Sequence, residues 1–219
     1  MISMISKNLL FTEGSKILVA LLIGGLLGLL FFKPLFYIAL GLFLFSLYFF
    51  RNPERTNLEA LTDESLIVSP ADGRVIDVQY DPNNGFEGYA YKISIFLSVF
   101  DVHVNRMPST GIVQRIIHKP GKFVPAYVPK SSELNERNDL IVVRDDGRTM
   151  IVRQIAGIIA RRIRCWVHEG SLITVGSRYG MIMFGSRVDL LLPSSVELYI
   201  VNGQRVYGGQ TMIGRWLCK

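Results

Sequence analysis

From Ile17 to Phe50 the chain carries one charge, Lys33, and almost no other polar side chain. Two apolar runs of 16 residues, Ile17–Phe32 and Leu35–Phe50, flank Lys33-Pro34. At about 1.5 Å per residue each predicts a helix of about 24 Å, slightly short of a hydrocarbon core of about 30 Å. A single kinked helix would leave Lys33 near mid-membrane, at a cost of at least about 2.5 kcal/mol. Pro34 interrupts a helix, so the pattern predicts a membrane-anchoring helical hairpin within residues 1–55, spanning or re-entrant. Lys7, Lys16, Arg51 and Arg55 fall on one side of it, which the positive-inside tendency makes cytoplasmic. A cleaved signal peptide fits poorly with the doubled apolar length and the lack of an A-x-A site.

After about Leu66 the texture changes to short runs rich in Val, Ile and Leu. They are Leu66–Ser69, Arg74–Gln79, Lys92–Leu97, Gly111–His118, Leu140–Arg144, Met150–Ile155, Leu172–Val175, Arg187–Leu192 and Ser195–Val201. Turn signals separate them, among them Asp72-Gly73, Asn83-Asn84-Gly85, Asp146-Gly147 and Asn202-Gly203. Residues 56–219 therefore read as a mainly β domain, a β-rich α+β sandwich or flattened barrel with few helices. Met150–Val167 is open to either state, since Ile and Val favour strand while Ala156 and Ala160 permit helix. Lys119–Lys130, with three prolines and three lysines, predicts a loop. It serves either as a surface connector or as a headgroup contact anchored by Phe123 and Tyr127.

The formal charge of +6 leaves nucleic acid, anionic lipid and acidic small molecules as partners. The apolar N-terminus favours lipid, and with no basic block or DNA-binding motif, no nucleic-acid partner is expected. Cys165 and Cys218, far apart and outside any CxxC spacing, read as unpaired thiols in a reducing compartment. His103, His118 and His168 show no metal-ligand spacing, so no metal is expected.

Single candidates for chemistry are ambiguous. Asp72-Gly73 is commonly a hairpin turn, His103 could be a satisfied core histidine, and Gly-Ser occurs at 14–15, 170–171, 176–177 and 185–186. Their surroundings are specific. In order the chain carries FFRNPER (49–55), SPADG (69–73), DVHVNRMP (101–108), NERN (135–138), QIAGIIARRI (154–163) and FGSRVDL (184–190). In that ordered set it resembles the phosphatidylserine decarboxylases of the short bacterial and archaeal type, over nearly its full length.

The resemblance implies autocatalytic scission between Gly185 and Ser186, with Ser186 becoming a pyruvoyl cofactor. It also implies two fragments, 1–185 and 186–219, that stay together as a heterodimer. Phosphatidylserine would be decarboxylated to phosphatidylethanolamine at a membrane, with the catalytic domain on the cytoplasmic side. His103 would be the base that activates Ser186, oriented by Asp72 in the manner of a Ser-His-Asp triad. Longer relatives carry a second histidine three residues after the first; here that position is Arg106. Arg106, Lys119 and Lys122 are candidates for the substrate phosphate. Two rival readings remain: a membrane-anchored barrel-sandwich adaptor without catalysis, suggested by the turn-rich segment 201–210, and a decarboxylase acting on archaetidylserine.

Overall fold

The computed structural model describes residues 13–83, 85–122, 124, 134–157, 163–183 and 185–218. The chain divides into two compact units, one ending at Glu54 and one beginning at Arg55.

In the first unit α1 (Ser15–Phe31) and α2 (Lys33–Phe49) are joined at Phe32. Pro34 sits in the first turn of α2, where its missing N–H breaks no hydrogen bond. The helices pack antiparallel, Gly25 against Ala39 and Gly28 against the backbone of Phe36. A Cβ on Gly28 would lie 2.4 Å from the Phe36 amide nitrogen, so this close approach requires glycine. Each helix has 17 residues, about 26 Å. Among the described residues no helix is long and apolar enough to cross a membrane. Two packed helices stand where the membrane hairpin was expected.

The second unit holds a five-residue helix, α3 (Leu58–Thr62), and fourteen strands among its described residues. These are β1 (Leu66–Val68), β2 (Gly73–Tyr80), β3 (Tyr91–Leu97), β4 (Val104–Arg106), β5 (Gly111–Lys119), β6 (Arg137–Val143) and β7 (Thr149–Ala156). The rest are β8 (Ile163–Cys165), β9 (Leu172–Ile173), β10 (Arg178–Ile182), β11 (Ser186–Leu192), β12 (Val196–Leu198), β13 (Arg205–Val206) and β14 (Met212–Trp216). Every run expected to be extended contains a strand. Met150–Val167 resolves into β7 and β8, with 158–162 outside the described residues.

An eight-stranded antiparallel sheet runs in the order β13-β2-β3-β11-β7-β6-β5-β9. Two three-stranded sheets, β1-β14-β12 and β4-β10-β8, share one apolar core with it, including Ile67, Val75, Ile95, Leu140, Val188, Tyr179 and Trp216. The large sheet ends at β13 and β9 rather than closing, so the architecture is packed sheets and not a barrel.

β11 lies mid-sheet between β3 and β7, and all seven of its residues are buried. Alternation puts Ser186, Val188 and Leu190 on one face and Arg187 and Asp189 on the other. The second face is held by charge: Arg187 bonds Asp189 at 2.6 and 3.1 Å and Ser94 at 2.7 Å. On β7, Arg153 bonds Asp139 at 2.7 and 2.9 Å.

The Asp146-Gly147 turn joins β6 to β7. Arg148 bonding to the Asp146 carboxylate outweighs its desolvation and, with Arg144, holds it well below the usual carboxylate range. Because the folded value is depressed, this stabilisation is full above the ordinary Asp range and declines as pH falls toward the folded value. Asp146→Asn is expected to cost less than about 1 kcal/mol at pH 7, since the site is partly solvated. The difference from the parent should shrink in thermal melts repeated near pH 2.

Candidate active site

Ser186 is the first residue of β11, paired with Leu97 on one side and Ala156 on the other. Its Oγ is buried and has no hydrogen-bond partner among the described residues. Three residues carry the chain into it from β10 in the small sheet to β11 in the large one. One of them, Phe184, lies outside the described residues. Gly185 takes φ +68°, and nothing lies within 4 Å of the place where a Cβ would stand. Glycine is therefore suited here by its left-handed backbone conformation and not by crowding.

His103 directly precedes β4, is fully buried, and extends the ladder with β10 by accepting the Ile182 N–H on its carbonyl at 3.4 Å. Its Nδ1 lies 2.9 Å from the Asp101 carbonyl oxygen. A carbonyl can only accept, so Nδ1 carries a proton and Nε2 is assigned as the accepting nitrogen. That nitrogen meets the Gly185 N–H at 3.4 Å. Asp101 is itself fixed, accepting from Ser98 N and Oγ at 2.8 and 2.9 Å and pairing with Arg205. His103 thus meets the amide N–H of Gly185, one peptide upstream of the Gly185–Ser186 bond, while Ser186 follows directly in the chain.

The structure does not bring Asp72 to His103. Asp72 precedes β2, and Arg74, Phe96 and Arg187 stand in register across β2, β3 and β11. Asp72 and Ser186 therefore lie at the same end of the sheet but two strands apart, about 10 Å. The Asp72 carboxylate is occupied by a bidentate pair with Arg55 (2.9 Å for the Nη2 contact) and by the Gly208 N–H at 2.8 Å. In this structure the His103 ring is held through the Asp101 main-chain carbonyl, and the Asp72 carboxylate meets Arg55 and Gly208.

Of the cations considered for phosphate, Arg106 is buried, its guanidinium turned to the Gly176 and Arg55 carbonyls at 3.0 and 3.5 Å. Lys119 and Lys122 are exposed. Lys119 pairs with Arg137 and Arg137 with Ile155, which places it at the Ser186 end of the sheet. Phe123, Tyr127 and Lys130 lie outside the described residues.

Polar residues given no role from sequence alone line the same region. Gln154, Asn138 and Asn105 form a buried chain of amides. Near them are the Tyr179 hydroxyl and the Cys165 thiol, both pushed up in pKa chiefly by burial and hence neutral. Cys165 and Cys218 are free thiols.

The sequence profile of the phosphatidylserine decarboxylase family matches residues 42–214. A protein of Carboxydothermus hydrogenoformans named phosphatidylserine decarboxylase proenzyme is 47% identical over 208 residues, covering 94% of this chain and 96% of that one. Proteins of the same name from Salinibacter ruber and Gluconacetobacter diazotrophicus are 46% and 48% identical. They cover 83% and 81% of this chain, and 80% of each relative is matched.

Proposed function

The chain belongs to the phosphatidylserine decarboxylase family, and on that premise we propose that it is a proenzyme that cuts itself between Gly185 and Ser186. The mature protein then converts phosphatidylserine to phosphatidylethanolamine. The observation that carries the reading is a buried Ser186 Oγ, without a hydrogen-bond partner among the described residues, beside a left-handed glycine whose N–H meets Nε2 of His103.

Ser186 Oγ is a weak nucleophile until its proton is removed, and we assign that role to His103 Nε2, which meets the adjoining Gly185 N–H. Attack on the Gly185 carbonyl exchanges the amide for an ester, and elimination across the Ser186 Cα–Cβ bond releases the upstream chain as a carboxylate. The two products are 1–185 and 186–219. The smaller contributes β11 to β14, each paired with strands of the larger or with one another, so the fragments remain one folded heterodimer.

The orphaned Oγ and the space at Gly185 suit a pyruvoyl group at position 186, which would supply a carbonyl able to accept the electrons left as CO₂ departs. The chain's own residues bind and orient. His103 Nε2 can hold or return the proton that replaces CO₂, and the apolar wall of Leu97 and Ala156 excludes water. Lys119 and Lys122 offer exposed positive charge to the substrate phosphodiester.

The apolar faces of α1 and α2 supply the anchor. With about 26 Å per helix, the pair reaches a bilayer either as a re-entrant hairpin or by adding flanking residues, with Lys16 and Arg51 at the cytoplasmic headgroups. This holds the catalytic unit on the cytoplasmic surface, where its lipid substrate lies.

Intact mass of the full-length protein tests both stages. Two chains breaking after Gly185 are expected, the smaller with an N-terminus that reacts with carbonyl reagents. The same preparation should release CO₂ from phosphatidylserine in detergent or vesicles. A folded, uncleaved chain that releases no CO₂ would overturn the proposal.

A further inference from the structure

Three buried amides link the large sheet to the sheet containing His103. Asn138 in β6 donates Nδ2 to Gln154 Oε1 at 3.2 Å, and Gln154 in β7 donates Nε2 to Asn105 Oδ1 in β4 at 2.8 Å. Gln154 Nε2 also points at the Arg164 carbonyl, 3.5 Å away, an atom that can only accept. This end of the Gln154 amide is therefore nitrogen, and the Asn105 atom facing it is oxygen. What remains is the Asn105 NH₂ group, buried and without a partner among the described residues. A buried donor held in this way is uncommon and calls for an acceptor that arrives during function.

Its position names the acceptor. Asn105 follows His103 by two residues in an extended run, so the two side chains leave the same face. Gln154 precedes Ala156 by two residues, and Ala156 is the β7 partner of Ser186, so Gln154 and Ser186 share a face of the large sheet. Imidazole, hydroxyl and unspent amide occupy one compartment between the two sheets.

We propose that Asn105 Nδ2 is the oxyanion donor of the self-cleavage, with Gln154 and Asn138 as positioning residues; the inference rests on scission at Gly185-Ser186. As the bond from Ser186 Oγ to the Gly185 carbonyl carbon forms, the hydroxyl proton passes to His103 Nε2 and the carbonyl π pair moves onto oxygen. Collapse restores the carbonyl and breaks the bond to the Ser186 nitrogen, which takes the proton from His103 and becomes the amine of the ester. Negative charge exists on that oxygen only between these two events. A fixed neutral donor stabilises it there and gains little in the resting peptide. The amide chain from β6 sets the orientation beforehand, so no reorganisation is needed during the reaction.

Full-length chains made in a cell-free reaction and sampled by intact mass give the cleavage rate directly. Asn105→Ala is expected to cleave on the order of 100-fold to 1000-fold more slowly than wild type. Its pH profile should be unchanged, because the base is untouched, and hydroxylamine should reveal no accumulated ester at Gly185. Asn105→Asp keeps the shape and the acceptor for Gln154 but offers no donor, so it should be equally slow while retaining the wild-type circular dichroism. Gln154→Glu, unable to donate to Asn105 Oδ1, should also slow the step. Either Asn105 variant, folded and cleaving at the wild-type rate, overturns the proposal. So does slow cleavage with accumulated hydroxylamine-sensitive ester, which would move the role to elimination. A folded wild-type chain that never cleaves would instead remove the self-cleavage reading itself.

Discussion

Ser186→Ala is expected to leave one polypeptide of 219 residues with no detectable scission and no release of CO₂ from phosphatidylserine. The expectation follows from the number of nucleophiles available. Ser186 Oγ belongs to the residue that contributes the nitrogen of the proposed scissile bond, and His103 Nε2 meets the Gly185 N–H one peptide upstream. Without that oxygen the imidazole has no proton to take, and the ester that precedes elimination cannot form. The loss should also be clean. Among the described residues the Oγ makes no hydrogen bond, so removing it leaves none of them unsatisfied, and burying a methyl group in its place is neutral or mildly favourable. A melting temperature no lower than that of uncleaved wild type is the accompanying result. Intact mass and a denaturing gel read the first part; a chain still breaking after Gly185 would show that another group performs the attack.

Short runs rich in Val, Ile and Leu between turn signals made the strands of the large sheet legible, because central strands such as β7 and β11 bury nearly every residue. β4, β10 and β14 were harder. β4 is three residues long, and the glycines in β10 and β14 read as turns although each sits against a neighbouring strand's backbone. The site was legible where chemistry is local: Gly185 and Ser186 are adjacent, and His103 is the histidine in a distinctive run. It was not legible where it depends on register. Asp72 and His103 both stand in conspicuous motifs, yet β3 separates Asp72 from Ser186, and Arg55 occupies its carboxylate. The residue that orients the histidine contributes a carbonyl oxygen, an atom every residue possesses, so no side-chain pattern marks it. Asn105, Asn138 and Gln154 did leave a signal. Each is a buried amide within a strand, and buried amides come in hydrogen-bonded sets.

The lost histidine three residues beyond His103 takes on a physical meaning in this arrangement. Arg106 holds the Gly176 and Arg55 carbonyls, and Arg55 in turn pairs with Asp72. A second imidazole at position 106 would leave those carbonyls unmet. At that position this chain has a fixed cation network instead.

Asp189→Ala is expected to destabilise the fold by about 3–5 kcal/mol, the usual consequence of removing one partner of a buried ion pair. Asp189 is fully buried and Arg187 is 2% exposed, so the guanidinium has no water to turn to. Ser94 Oγ at 2.7 Å would be its main remaining contact on that side, with Arg153 of the same sign on the neighbouring strand. Denaturant unfolding is best measured in the Ser186→Ala background, where one covalent chain keeps the transition two-state. The double substitution Arg187→Met with Asp189→Leu separates charge from packing. It removes both ions, keeps comparable volume, and should recover most of the lost stability. Failure to recover would mean that strand packing, not the unpaired charge, dominates. In the cleaving chain the same pair has a further consequence, because β11 is then held between β3 and β7 without a covalent link at its N-terminal end. Asp189→Ala should therefore release 186–219 from 1–185 at lower denaturant than wild type. On the proposed scission, retention of the cut strand would then depend in part on the Arg187–Asp189 pair.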